Sequence, residues 1–133
     1  MLTLLLIDDS QVILSVMKEL LSPLQVIKEI ITSSSSLKGL ELVKTISPDV
    51  VLLDINMPEK NGIEVLKEIK KEHAHVKVLM VTNHATDYYK TLCHQIGADY
   101  FIDKSNEFEL IPEIIESIAR NSNQPAIRES NLS

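Results

Sequence analysis

Five short apolar runs recur along the chain, at 2–7, 26–32, 50–53, 76–82 and 100–102, and a stretch of helical periodicity follows each one. The run VVLL at 50–53 does not alternate with polar residues, which suits a strand covered on both faces. Ser10 can cap the first helix, which ends at Ser22-Pro23; Val12, Ile13, Val16, Met17, Leu20 and Leu21 are expected on its inner face. A second helix is expected over 37–46, stopped by Ser47-Pro48, and a third over 63–72 with Ile63, Leu66 and Ile69 turned inward. The fourth, over 87–96, is closed by Gly97, which tolerates left-handed backbone. Its inner face carries Tyr89, Leu92, Cys93 and Ile96, with Tyr88 outside. The last helix carries Ile111, Ile114, Ile115 and Ile118 and ends near Arg120. Pro112 is tolerated only in a first turn, so this helix should begin near Leu110, after an irregular turn at 106–109. Five strands alternating with five helices predict an α/β fold, a parallel sheet with helices on both faces.

A length of 133 residues favours one domain with a real core. From 121 onward the apolar periodicity stops and Asn, Ser and Pro accumulate, so 121–133 reads as a flexible tail behind a domain at 1–120. Ser33 to Ser36 reads as a loop and helix start. The net charge of −6 argues against a nucleic-acid partner, since binding along a phosphate backbone needs an excess of Lys and Arg. The single cysteine, Cys93, excludes an internal disulfide framework and a CxxC metal site. The first apolar run lacks a basic flank and meets two acids, unlike a signal peptide. No stretch approaches the roughly 20 apolar residues of a membrane helix. A cytoplasmic location without a membrane partner is therefore the expectation.

Open parallel sheets bind ligands beyond the carboxyl ends of their strands, where strand order reverses. The residues at those ends are Asp8, Asp9, Asp54, Thr82, His84 and Lys104. Each has a plain structural reading: an acid after a strand as a helix cap, Thr82 as a cap, Lys104 as a solvated charge. Their joint occurrence says more. Three acids in one crevice repel one another and raise carboxylate pKa values unless a cation compensates. A hard divalent ion such as Mg²⁺, held by one or two carboxylates and water, is the natural compensator. A metal, a hydroxyl and an ammonium could each contact one equatorial oxygen of a phosphoryl group. On that reading the buried third strand delivers Asp54 as a nucleophile. His73, His75, His84 and His94 do not form a transition-metal set on spacing, and Cys93 reads as core.

The segments IDDS, LLDINMPEKNG, VLMVTNH and GADYFIDKS, in this order, resemble the receiver domain of bacterial two-component response regulators, over about residues 2–120. The resemblance implies a flavodoxin-like, doubly wound (βα)5 fold with strand order 2-1-3-4-5, of the single-domain chemotaxis-regulator type. It implies that Asp54 accepts a phosphoryl group from a phosphohistidine of a sensor histidine kinase or phosphotransfer protein. Asp9 would bind Mg²⁺ directly, Asp8 mainly through water, and Asn56 through its backbone carbonyl. Thr82 and Lys104 would contact the phosphoryl group, with Thr82 and Phe101 as the switch pair and Asn83 and His84 at the rim. An output protein would dock on the fourth helix, fifth strand and fifth helix, where Tyr88, Lys90 and Glu113 are expected. Pro58 and Gly62 match the turn into the third helix.

Three positions depart from the family pattern. Asn83 stands where a small residue is common, Ser105 replaces the frequent proline after the lysine, and Phe101 lacks the hydroxyl of the commoner tyrosine. A non-proline bond at 104–105 favours trans. Two readings follow. The first is a phosphorylation-driven binding switch that carries no output domain and catalyses only its own aspartyl phosphorylation and dephosphorylation. The alternative is a Mg²⁺-dependent phosphatase of the haloacid dehalogenase type. That class needs a second acid two residues after its nucleophile, and Asn56 stands there.

Overall fold

The computed structural model describes residues 1–122. Strands β1 (Leu2–Ile7), β2 (Ile27–Ser33), β3 (Val50–Leu53), β4 (Lys77–Thr82) and β5 (Tyr100–Asp103) form one parallel sheet in the order β2-β1-β3-β4-β5. Helices α1 (Gln11–Leu21), α2 (Ser36–Ile46), α3 (Gly62–Glu72), α4 (Asp87–Ile96) and α5 (Ile111–Ser122) connect or follow them, with one 3-10 turn, Phe108–Leu110, before α5. The expected flavodoxin-like order is the observed one. Chain direction across the sheet reverses between β1 and β3, so the crevice at their carboxyl ends is the topological switch point.

Alternate strand residues feed two separate cores. Leu5, Ile7, Val51, Leu53, Val78 and Met80 pack beneath α2, α3 and α4, against Val43, Leu66, Ile69 and Cys93. Leu4, Leu6, Leu52 and Val81 turn to the other face, against Leu14, Met17, Leu21, Ile111, Ile115 and Ile118 of α1 and α5. Both faces of β1 and β3 are therefore dry, which explains the unbroken apolar runs. Each fully buried aliphatic side chain contributes about 1.5–3 kcal/mol relative to exposure.

Local signals set the ends. Ser10, Ser35, Asn61 and Thr86 cap α1 to α4 by accepting a backbone N–H three residues on. Gly97 closes α4 at φ +124°, which an L side chain rarely adopts. Pro112 occupies the first turn of α5. Peptide bonds among the described residues, 104–105 included, are trans.

The buried face of α1 differs from the expected one. Val12 and Val16, expected inward on α1, are 71% and 45% exposed, and Leu14 is buried instead with Met17 and Leu21. The helix is turned by roughly a quarter turn from the expected orientation, because six apolar residues span more of its circumference than one contact with the sheet can cover. Helix α5 ends at Ser122, past Arg120, and residues 123–133 of the expected tail lie outside the described residues. No helix among the described residues is long and apolar enough to cross a membrane.

Candidate functional site

The sheet's hydrogen-bond ladder continues one step past three strands and so fixes the backbone of the site. Asp8 N–H donates to the Ser33 carbonyl at 3.2 Å, Asp54 N–H to that of Ile7 at 3.2 Å, and Lys104 N–H to that of Thr82 at 2.9 Å. Asp8, Asp54 and Thr82 are buried, while Asp9 is exposed at the mouth. Asp8, Asp9 and Asp54 each offer a carboxylate oxygen within 4.8 Å of the others. Lys104 reaches over β4 from beyond β5 and sets its ammonium 2.6 Å from Asp8 Oδ2 and 3.1 Å from Asp54 Oδ2. The second contact is a hydrogen bond; the first is an ion pair without hydrogen-bond alignment, and Asp8 Oδ2 is left without a donor.

Charge and burial oppose each other here. Burial raises the Asp8 carboxyl above its ordinary range, and Asp54 adds to the rise, against the lowering effect of Lys104 and the Ser10 N–H. Burial alone would lower the Lys104 ammonium, but the close ion-pair contact with Asp8 and the charges of Asp54 and Asp8 hold it above its usual value. Lys104 therefore stands as a partial counter-ion to the acids.

Asp8 Oδ2 and Asp54 Oδ1 are buried oxygens without a hydrogen-bond partner. The Asp8, Asp9 and Asp54 carboxylates, each offering one oxygen, form a hard-donor set suited to a divalent cation, with Asp8 Oδ2 also facing the Lys104 ammonium, so the residues present fit Mg²⁺.

Thr82 Oγ1 accepts the His84 N–H at 3.1 Å, which leaves its own proton free to donate. His84 is exposed, its ring edge-on to Tyr89 with centroids 6.3 Å apart. Asn56 is exposed in the loop after β3. Asn83, also exposed, accepts a hydrogen bond from Ser105. Phe101 is half-buried on β5, against the core that contains Cys93. Tyr88, Lys90 and Glu113 are exposed on α4 and α5, as expected.

Two supporting serines carry no signal of their role in the sequence. Ser36 is fully buried, and its Oγ accepts the Lys60 N–H at 3.0 Å; Ser35 Oγ donates to Glu59 at 2.7 Å. Both brace the loop after Asp54 from 24 residues away, a distance at which a run of serines carries no signal.

A switch point that gathers acids, a hydroxyl and an ammonium defines an α/β domain whose crevice could hold a divalent cation and an anionic group such as a phosphoryl. Comparison with known proteins narrows that class: the model of the response regulator receiver domain matches residues 4–116. This chain belongs to the response regulator receiver family, the signalling switches of two-component systems, in which phosphorylation and Mg²⁺ are general features. It is 35% identical over 109 residues to the nitrate/nitrite response regulator protein NarL of Escherichia coli K12, covering 80% of this chain and 50% of that protein. It is 38% identical over 132 residues to a CpxR homolog, a transcriptional regulatory protein of Haemophilus influenzae, covering 97% and 55%. The chain thus spans about half the length of the curated relatives it matches. Among solved structures, the response regulator domain of Thermotoga maritima CheB superposes with a TM-score of 0.79 at 29% identity, covering 93% of this chain and 98% of that one.

Proposed function

We propose that Asp54 is the phosphoacceptor of a phosphorylation-activated switch, supplied by a histidine kinase or a histidine phosphotransfer protein. The observation that carries this reading is the placement of Asp54: 6% exposed at the end of β3, with one oxygen bonded to Lys104 and the other free of protein partners. An Asp54 oxygen attacks phosphorus, and its bond to phosphorus forms as the phosphorus–nitrogen bond of the phosphohistidine breaks, the electron pair leaving with the imidazole. Lys104 is already within reach of the incoming phosphoryl oxygens. Thr82 Oγ1 keeps the His84 N–H as donor and donates a hydrogen bond to another of those oxygens. Asp9 would hold Mg²⁺ directly, Asp8 through water, and Asn56 through its backbone carbonyl. When bound, the ion supplies positive charge against the acids and the transferring group.

The output lies elsewhere. Phe101 and Thr82 form the switch pair, and an output protein reads the face built by α4, β5 and α5. Acetyl phosphate with Mg²⁺ should add one acid-labile phosphate per chain, seen by intact mass, and Asp54→Asn should add none. Normal labelling of that variant would refute the assignment. Continued clearance of excess substrate would instead favour the phosphatase reading.

A further inference from the structure

Two departures from the family pattern, Asn83 and Ser105, touch each other. Ser105 Oγ donates to Asn83 Oδ1 at 3.3 Å, between two exposed side chains. Each residue directly follows a group that faces the reaction, Asn83 after Thr82 and Ser105 after Lys104. The contact is long, solvent-exposed and between neutral groups, so its worth to global stability is small. Its direction is what matters. In the sheet order β3-β4-β5, Asp54 follows β3, Asn83 follows β4 and Ser105 follows β5. A bond from Asn83 to Ser105 therefore draws the asparagine side chain toward β5, away from Asp54.

We propose that Ser105 is a positioning residue that parks Asn83 clear of the phosphoacceptor pocket. The inference rests on the reading of Asp54 as phosphoacceptor. Ser105 suits the task because its turn is fixed on several sides. Its N–H donates to Asp103 Oδ1 at 2.9 Å, and Asn106 Nδ2 donates to Asp103 Oδ2 at 3.0 Å. Asp103 N–H donates in turn to Glu107 Oε1 at 3.0 Å. Lys104 N–H to the Thr82 carbonyl, at 2.9 Å, then sets the spacing between the two loops. Released from Ser105, Asn83 regains its other staggered rotamers. A rotamer that turns toward β3 would bring its amide nearer the crevice and narrow the donor's path to Asp54. The serine thus offsets the bulk of the asparagine.

A mutant cycle on the full chain tests this, with the rate of Asp54 labelling by acetyl phosphate at fixed Mg²⁺ as the readout and thermal melts as a check on folding. Ser105→Ala should label about twofold more slowly, as the low end of the net worth of one hydrogen bond allows. Asn83→Ala should label at least as fast as wild type, and the double variant should match Asn83→Ala, since a missing side chain needs no parking. Equal rates for wild type and Ser105→Ala would overturn the inference and leave the phosphoacceptor reading standing. Slow labelling that persists in the double variant would show that Ser105 acts without Asn83, which also overturns it. Absence of label on wild type would remove the phosphoacceptor reading and this inference with it.

Discussion

Asp8 and Asp9 are adjacent in sequence but differ in what they can offer a cation. Asp8 is buried, accepts the Ser10 N–H at 2.9 Å and already faces Lys104, whereas Asp9 is exposed at the mouth. The free carboxylate is the one that meets a hydrated ion first. Asp9→Asn should therefore weaken Mg²⁺ binding by at least about tenfold, since even outer-shell partners of a metal site are worth about 10- to 100-fold. Calorimetric titration showing unchanged affinity would remove Asp9 from the ligand set. Cys93 is the other residue whose environment sets its chemistry. It is wholly buried, and burial pushes its thiol from 9.0 up to about 11. Between those values the unfolded chain has released the proton while the folded one retains it, so stability falls as pH rises through that window. The melting temperature of wild type should drop more steeply there than that of Cys93→Ala. At pH 8 iodoacetamide should modify the native thiol slowly and the urea-unfolded thiol fast. Rapid native alkylation would contradict the burial.

The segment between β3 and α3 shows how one element is fixed by its neighbours. Gly62 N–H donates to the Ile55 carbonyl at 2.7 Å, and a Cβ on Gly62 would lie 2.0 Å from the Asp54 carbonyl oxygen. No flexible side chain can yield there, because the obstacle is backbone. Gly62→Ala should cost about 2–3 kcal/mol in urea unfolding and should weaken Mg²⁺ binding by displacing Asp54. An unchanged midpoint would mean that the loop yields more readily than its packing suggests. The MPEKNG turn was legible because the motif is local, as were the caps at Ser10 and the stop at Gly97. The α1 face was not, since periodicity marks a stripe but not which edge of it meets the sheet. Nor was the bracing by Ser35 and Ser36, which depends on where β2 ends relative to β3. Lys104 was assigned to a phosphoryl group, but its hold on Asp8 is a property of the folded crevice alone.

At the scale of the whole molecule, the proposed switch requires that chemistry at the carboxyl ends of the strands change the surface at α4, β5 and α5. Only a difference in contacts between two states can carry that change, because a ligand with equal affinity for both shifts nothing. Phe101 is placed to supply the difference. It borders two hollows, one of about 350 Å³ shared with Lys90, His94 and Tyr100, the other of about 220 Å³ shared with Lys90, Asp103 and Glu107. Its ring is half-buried against the core and has room to turn. If Thr82 shifts toward a phosphoryl group, it vacates space that an inward ring fills. A tyrosine in the outward position could hydrogen-bond with its hydroxyl; Phe101 has none, so on the proposed reading the outward state would lose that stabilisation and the inward state would be populated before phosphorylation. Phe101→Tyr should therefore enlarge the spectral change that beryllofluoride and Mg²⁺ produce in α4, β5 and α5 resonances, and lower basal partner binding, while leaving Asp54 labelling intact. Phe101 ring resonances showing equal exposure with and without the phosphoryl mimic would end this account of the relay.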